Sequence, residues 1–186
     1  MLAAHPVQIL MDEHRIIESV LDALERQVLR LGHGAFPAEF LEKALDFFAN
    51  YADGCHHFKE EDTLFPAMVA RGVPREGGPV GVMLYEHQLG RGHLKAVRES
   101  LSAAGAGDAA ALDVVHQNAL GFIQMLRQHI FKEDNVLFRM AQSVLGPADV
   151  EELRAKFTDE SNPKINAQVR GKYVALAEEL AKSGLP

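Results

Sequence analysis

The stretch His57-Phe58-Lys59-Glu60-Glu61 places a histidine four residues before a glutamate, and His129-Ile130-Phe131-Lys132-Glu133 repeats that spacing. On an α-helix, side chains four residues apart lie on one face, one turn from each other. Each stretch therefore presents an imidazole and a carboxylate together, a ligand pair that suits iron, manganese or zinc. The spacing alone does not single out a site, because His14/Glu18 and His56/Glu60 share it.

The helical face on which each pair lies distinguishes the pairs. His129 and Glu133 interrupt one apolar stripe, and His57 and Glu61 interrupt another. The apolar members are Val115, Phe122, Met125, Leu126, Val136, Leu137 and Met140 in the first stripe and Phe40, Phe47, Leu64, Phe65 and Met68 in the second. A carboxylate in an apolar seam costs on the order of several kcal/mol unless a counter-charge or a metal compensates it. Glu61 and Glu133 are therefore predicted to be metal ligands.

The neighbouring pair His56/Glu60 is predicted to face solvent. On the same helix it shares its face with Asp53, Lys59 and Thr63, all of them polar. A polar face of this kind is typical of the exposed side of an amphipathic helix.

The composition indicates a globular protein that does not bind nucleic acid or a membrane. The 186 residues carry a net charge of −7, which argues against binding to nucleic acid or to an anionic membrane. No apolar run approaches the roughly 20 residues of a membrane span, and the N-terminal residues lack the features of a signal peptide. We therefore expect a cytoplasmic protein. Cys55 is the single cysteine, which excludes an internal disulfide framework and a cysteine-based metal site.

Hydrophobic periodicity and helix-breaking Gly and Pro residues divide the chain into helices. Four long helices are predicted, followed by two shorter ones; their approximate ranges are 6–31, 37–70, 79–104, 109–145, 148–158 and 164–182. Helices of this length with mostly short connections predict an all-α, antiparallel up-down-up-down four-helix bundle over residues 1–146. Residues 147–186 are predicted to form a helical extension that packs on the bundle or supports a homodimer.

Each long helix of that bundle places one histidine in an apolar seam. These histidines are His14, His57, His87 and His129, and together with Glu61 and Glu133 they form a set that fits two metal ions bridged by carboxylates. The alternative is a group of core histidines that are hydrogen-bonded separately. Six core-facing polar groups without a metal would be costly, because unpaired buried groups are unfavourable.

The order of these residues resembles the pattern of the hemerythrin-like (HHE cation-binding) proteins. The resemblance covers about residues 5–145 and includes the flanking stretches Glu61-Asp62-Thr63-Leu64-Phe65-Pro66 and Glu133-Asp134-Asn135-Val136-Leu137-Phe138. It implies two iron ions with a bridging oxo or hydroxo group. By this resemblance Glu61 and Glu133 bridge the irons, His14 and His57 bind one iron, and His87 and His129 bind the other.

The chain departs from the oxygen-carrying hemerythrins at Arg91, where their third helix has a second histidine. The resemblance then implies one imidazole fewer at the iron held by His87 and His129, which disfavours stable oxygen carriage. We expect a protein that binds or senses oxygen, peroxide or nitric oxide in an apolar pocket, lined by Phe47, Phe58, Phe122 and Leu126. The alternatives are repair of iron–sulfur clusters and removal of peroxide or nitric oxide. A ferritin-type ferroxidase fits less well, because histidines dominate here and precede the glutamates by four residues.

Overall fold

Helices make up nearly all of the secondary structure in the computed structural model, which describes residues 5–183 and has no strand within that range. The outermost residues of the two predicted domains, 1–4 and 184–186, lie outside the described residues. The α-helices are α1 Pro6–Val28, α2 Ala38–Phe47, α3 Phe65–Ala70, α4 Pro79–Gly105, α5 Ala109–Lys132, α6 Phe138–Val144, α7 Pro147–Phe157 and α8 Ala167–Lys182. Three π-helical segments join some of them: π1 Phe48–His57, π2 Glu60–Leu64 and π3 Glu133–Leu137.

The π-helical segments lie inside the second and fourth of the predicted long helices. The second runs from α2 through π1 and π2 into α3, and the fourth runs from α5 through π3 into α6. A π-helix forms hydrogen bonds from residue i to residue i+5 and therefore fits more residues into each turn than an α-helix. Every π-helical turn thus shifts the faces of the residues that follow it along the chain.

Helix starts follow the capping signals in the sequence. Pro6 and Pro79 occupy the first positions of α1 and α4, where the missing N–H of proline costs no hydrogen bond. At the start of α5, the Asp108 side chain accepts hydrogen bonds from the backbone N–H groups of the first turn. The first helix ends at Val28, three residues earlier than predicted, and Gly32 follows with a positive φ of 83°.

The core consists of two apolar clusters with a polar layer between them. One cluster contains Val7 and Leu10 of α1, together with apolar residues of α3, α6 and α7; the other contains Ile17 of α1 and apolar residues of α2, α4, α5 and α8. His14 lies between these two groups along α1. The same alternation on the other long helices places a layer of histidines and glutamates across the middle of the core.

The helices pack both on neighbours in the sequence and on helices distant in the sequence. Helices α4 and α5 lie against each other, and α1 contacts α5. Helix α8 packs on α1 and α2, and α7 contacts α1. The up-down-up-down order of the long helices, the division at residue 146 and the homodimer stay predictions. No helix within residues 5–183 is both long enough and apolar enough to cross a membrane.

A buried ion pair between Lys59 and Glu13 ties the second long helix to α1 and yields a prediction. Lys59 is 1% exposed, so Lys59→Met keeps the apolar stem but leaves the Glu13 carboxylate without its counter-charge. We expect the free energy of unfolding to fall by about 3–5 kcal/mol, because removing one partner of a buried pair strands the other charge.

Lys43→Met is the matched control, since Lys43 pairs with Glu39 and Glu179 at the surface and exposed pairs contribute little. Denaturant unfolding of both variants measures the difference. If both variants lost the same free energy of unfolding, the buried Lys59–Glu13 pair would contribute no more than an exposed pair, and the prediction would be wrong.

Candidate metal centre

Five histidines converge in the polar layer of the core, and all of them are buried. They are His14, His56, His57, His87 and His129. The Nε2 atoms of His14 and His56 lie 3.0 Å apart, and those of His87 and His129 lie 3.1 Å apart. Imidazole nitrogens that approach each other in this way, instead of each pointing at a separate protein partner, are placed as ligands of a common cation.

Two glutamates lie between these two histidine pairs. Glu60 and Glu133 are both 0% exposed. Glu60 directs Oε1 towards His56 Nε2 at 3.6 Å and Oε2 towards His87 Nε2 at 3.5 Å. Glu133 directs Oε2 towards His14 Nε2 at 3.1 Å and Oε1 towards His129 Nε2 at 3.2 Å. Each carboxylate therefore turns one oxygen to each histidine pair.

None of these four carboxylate oxygens has a hydrogen-bond partner within residues 5–183. Buried polar groups are normally hydrogen-bonded, and an unpaired buried carboxylate is among the most costly groups in a protein core. The donor set consists of imidazole nitrogens and carboxylate oxygens, which suits iron, manganese or zinc. The residues present therefore fit a metal centre.

The outer nitrogen of every one of the five rings contacts a carboxylate. The Nδ1 distances are 2.7 Å for His14 to Asp134, 3.0 Å for His56 to Glu13, 3.3 Å for His57 to Asp53, 2.6 Å for His87 to Glu61 and 2.9 Å for His129 to Glu86. An Nδ1–H that donates to a carboxylate leaves the Nε2 lone pair free for a metal and fixes the plane of the ring. The same arrangement at all five rings is a strong sign of metal ligation.

Cations in turn hold those outer carboxylates. Arg15 pairs with Asp134, Lys59 with Glu13, and Lys132 with Glu86. Arg91 pairs with both Asp53 and Glu61. Arg91 Nε lies 2.9 Å from Asp53, and its terminal nitrogen lies 2.8 Å from Glu61. Arg91 thereby supports the carboxylates that contact His57 and His87.

Two overlapping groups could each hold one ion. One contains His57, Glu60, His87 and His129, and the other contains His14, His56, Glu60 and Glu133; within each group the donor atoms lie within 4.8 Å of one another. Glu60 belongs to both. Glu133 also contacts both sides through its two oxygens.

The pKa values of the two central carboxylates, Glu60 and Glu133, are shifted in opposite directions. Burial and the neighbouring Glu133 raise the pKa of Glu60 well above its ordinary value. Burial alone would raise the pKa of Glu133, but the charges of His129 and His14 outweigh burial and hold that pKa well below its ordinary range. For His129 the lowering effect of burial is outweighed by Glu133 and Glu86, which raise its pKa to about 9. Burial lowers the pKa of His56 to about 4.

The prediction that His56 and Glu60 face solvent is wrong. His56 is 1% exposed and Glu60 is fully buried, and both lie in the polar layer. Of the residues predicted as ligands, the structure brings together the following: His14, His57, His87, His129 and Glu133. It does not bring Glu61 into either group. The Glu61 side chain is 26% exposed and contacts His87 Nδ1 and Arg91 from outside.

The error has a physical cause in π1. The predicted face of His57 and Glu61 was extended from Phe40 and Phe47 at the α-helical period, but π1 begins at Phe48 and changes that period before the ligands are reached. The sequence did contain a signal for these ligands, namely the doublets His56-His57 and Glu60-Glu61. If the buried face of the helix shifts by one residue, such doublets still place a histidine and a glutamate in the core.

A cavity of about 230 Å³ opens beside His57, His87 and His129. The aromatic pocket predicted from the sequence is only partly present there: Phe122 and Leu126 line the cavity, whereas Phe47 and Phe58 do not. Phe47 instead stacks on Tyr51 in the core, and Lys164 lies over the ring of Phe58.

Comparisons with known proteins agree with a cation-binding domain. The family model of the hemerythrin HHE cation-binding domain matches residues 5–141. Uncharacterized proteins from two strains of Mycobacterium tuberculosis and from Mycobacterium bovis are 26% identical over 154 residues, which is 82% of this chain and 60% of theirs. The chain thus spans less than two thirds of the length of these relatives. No solved structure matches the chain significantly.

The burial of Glu60 and the exposure of Glu61 predict opposite outcomes for two adjacent substitutions. Glu60→Ala should abolish most of the metal content, because Glu60 belongs to both groups of donor atoms. Glu61→Ala should keep the full metal content under saturating metal, with affinity reduced by roughly 10–100-fold through the loss of the His87 contact. Metal analysis after loading and desalting measures the content. If Glu61→Ala lost its metal and Glu60→Ala kept it, Glu61 would be the ligand, as predicted from the sequence.

Metal uptake should release protons. Because the pKa of His129 is raised to about 9, this residue holds a proton at pH 7 in the metal-free protein, and the raised pKa of Glu60 acts in the same direction. A ligand must lose its proton to bind a metal. We therefore expect metal affinity to weaken as the pH falls, and the release from His129 to fade as the pH rises above about 9. Calorimetry in buffers of different ionisation enthalpy measures the release. Binding heats that are the same in all buffers would contradict this account.

Proposed function

Because the chain belongs to the hemerythrin HHE cation-binding family, we propose that its buried histidines and glutamates hold two iron ions as a non-haem di-iron centre. The proposed centre binds or senses a small ligand, namely oxygen, peroxide or nitric oxide. A bridging oxo or hydroxo group between the irons is part of the proposal. The support comes from the arrangement of the donor atoms and from the cavity beside them.

The observation that carries the proposal is the position of Glu60 and Glu133 between two groups of imidazole nitrogens. Each glutamate turns one oxygen to each group, and none of these oxygens has a hydrogen-bond partner among the described residues 5–183. A single central ion would leave carboxylate oxygens and ring nitrogens on one side without a partner. Two ions, held by both carboxylates together with the two groups of imidazoles, would satisfy all of them.

The two ions would have unequal sets of ligands. One would be held by His57, His87 and His129 and the other by His14 and His56, with Glu60 and Glu133 shared. The expectation of one imidazole fewer beside His87 does not apply to this set, because His57 lies with His87 and His129. In the proposed centre the ion beside His14 and His56 has fewer imidazole ligands, whereas the cavity lies beside the ion held by His57, His87 and His129.

The donor set fits iron, and it also fits manganese and zinc. Five imidazoles with two carboxylates are poorly suited to magnesium or calcium, which prefer oxygen ligands, and there is no thiolate to favour zinc. Iron bound in such a set supplies one-electron redox chemistry and binding of small oxygen species. Manganese and zinc are the metals that the experiment below must distinguish from iron.

The residues of this chain orient the ligands and exclude water. The contacts of the five Nδ1 atoms with carboxylates fix the rings, and Arg91 holds two of those carboxylates in place. The apolar clusters on both sides of the polar layer keep bulk water away, which strengthens the electrostatic interactions inside. Cys55 is buried and burial raises the pKa of its thiol to about 11, so it is not poised for redox chemistry.

The test of this function follows metal content and optical spectra together. We expect about two irons per chain, one for each group of donor atoms. After anaerobic reduction, addition of oxygen, peroxide or nitric oxide should change the absorption spectrum, each at one equivalent per centre. A protein that takes up zinc or manganese in preference to iron, or whose iron spectrum does not respond to any of the three, would refute the proposal.

Arg91→Gln and Arg139→Gln provide the matched pair for this experiment. The first removes the support of Asp53 and Glu61 and should alter the spectrum and weaken iron binding by roughly 10–100-fold. The second changes an exposed arginine of α6 that contacts none of these residues and should have no effect. Rapid turnover of peroxide or nitric oxide, instead of stoichiometric binding, would identify the protein as a detoxifying enzyme.

A further inference from the structure

The cavity beside His57, His87 and His129 is larger than a diatomic ligand requires. Its volume is about 230 Å³. A water molecule accounts for about 30 Å³ of liquid, so the cavity could hold several molecules of that size. A space of this volume next to a polar cluster is suited to an organic molecule.

The wall of the cavity is mainly apolar, and one glycine keeps it open. It is lined by apolar residues of π1, α4 and α5, chiefly Phe48, Leu94, Phe122, Met125 and Leu126, together with Gly90. A Cβ atom at Gly90 would lie 3.0 Å from Met125 Cε and 3.5 Å from Phe122. Any larger residue at this position would therefore occupy the space between α4 and α5.

The charges around the cavity leave an excess of positive charge. The acidic lining residues already have partners, since Asp53 pairs with Arg91 and Glu86 pairs with Lys132. Two further cations line the same cavity from α4, Lys95 and Arg98, at positions i+4 and i+7 from Arg91 and hence on the same helical face.

These two cations are only weakly engaged. Lys95 is exposed and lies 3.8 Å from Glu99, an exposed pair of the kind that contributes little. Arg98 donates one long hydrogen bond of 3.4 Å to the Leu45 carbonyl and has no acidic partner within 4.0 Å among residues 5–183. Both are therefore free to bind an anion at the mouth of the cavity.

We propose that this cavity binds a small organic acid, a monocarboxylate with a short apolar chain. The carboxylate lies at the mouth against Arg98 and Lys95, and the apolar chain lies against Phe122, Met125 and Leu126. A neutral apolar molecule would leave the cations unpaired, and an organic cation would meet them with like charge. The inference goes beyond the proposed di-iron function and does not depend on which metal is bound.

Occupation of the cavity has a consequence for the metal centre. The inner end of the cavity is formed by His57, His87 and His129, which belong to one of the two groups of donor atoms. An acid seated with its chain inward covers these residues on the side that faces the cavity. The organic acid would thereby control the approach of a small ligand to that side of the centre.

The test is calorimetric titration of the purified, metal-containing protein with hexanoate, acetate and hexanol. Hexanoate should bind, and acetate should bind much more weakly, since each buried methylene strengthens binding about fourfold. Hexanol lacks the negative charge and should bind roughly fivefold more weakly than hexanoate. The Arg98→Gln variant should bind hexanoate roughly fivefold more weakly than the wild type does, because one of the two cations is lost. Gly90→Leu should abolish binding of hexanoate by filling the cavity.

Two variants outside the cavity lining control for indirect effects. Gly92→Leu adds the same side chain on α4, where an added Cβ atom would meet no atom beyond its own helix within 4 Å, and Arg139→Gln removes an exposed charge of α6. Both should bind hexanoate as the wild type does. Absence of hexanoate binding, or binding that survives Gly90→Leu, would overturn the proposal. Acetate binding as tight as that of hexanoate would assign the ligand to the metal instead of the cavity. Metal content measured on the same samples keeps this result separate from the di-iron proposal.

Discussion

The structure depends on the burial of two carboxylates that have no hydrogen-bond partner in the described part of the chain, residues 5–183. Glu60 and Glu133 lie at the centre of the polar layer, between two apolar clusters that would otherwise form one continuous core. Well-packed apolar side chains in place of buried charged groups are often neutral or stabilising for a fold. Stability alone therefore does not account for the two carboxylates, whereas their position is suited to binding a cation.

Around this centre, charge alternates outward in successive layers. Buried carboxylates are surrounded by imidazoles, the imidazoles by carboxylates such as Glu13 and Glu86, and these by cations such as Lys59 and Lys132. Each layer offsets the cost of removing the charges of the next inner layer from water. Lys59 can be buried for this reason, because its charge is paired with Glu13. The outer layers come from different helices, so the geometry of the centre also fixes how the helices pack.

Much of this arrangement could be predicted from the sequence because most of the helices are regular. In α5 the α-helical period holds from Val115 to His129, and π3 begins only at Glu133. The predicted face is therefore buried at His129 and Glu133, whereas Val136, predicted on the same face but lying within π3, is 52% exposed. In the second long helix π1 begins before the histidines, and the same reasoning placed His56 and Glu60 on the wrong face. A π-helical turn is stabilised by the packing and ligand demands of the folded protein, whereas periodicity reports only local preference. The outer carboxylates were also missed, since contacts between helices cannot be read from spacing within one.

The π-helical segment also accounts for the role of Arg91. In a regular α-helix adjacent side chains point about 100° apart, so only one of two neighbouring histidines would face the centre of the layer. Within π1, His56 and His57 are both buried and contact different partners, Glu13 of α1 and Asp53 of π1. Arg91, which stands where the oxygen-carrying hemerythrins have a histidine, binds that same Asp53. In the proposed centre the imidazole at this side therefore comes from the second long helix, and Arg91 supports it through Asp53. The departure at Arg91 is thus a displaced ligand with its own support and not a missing one.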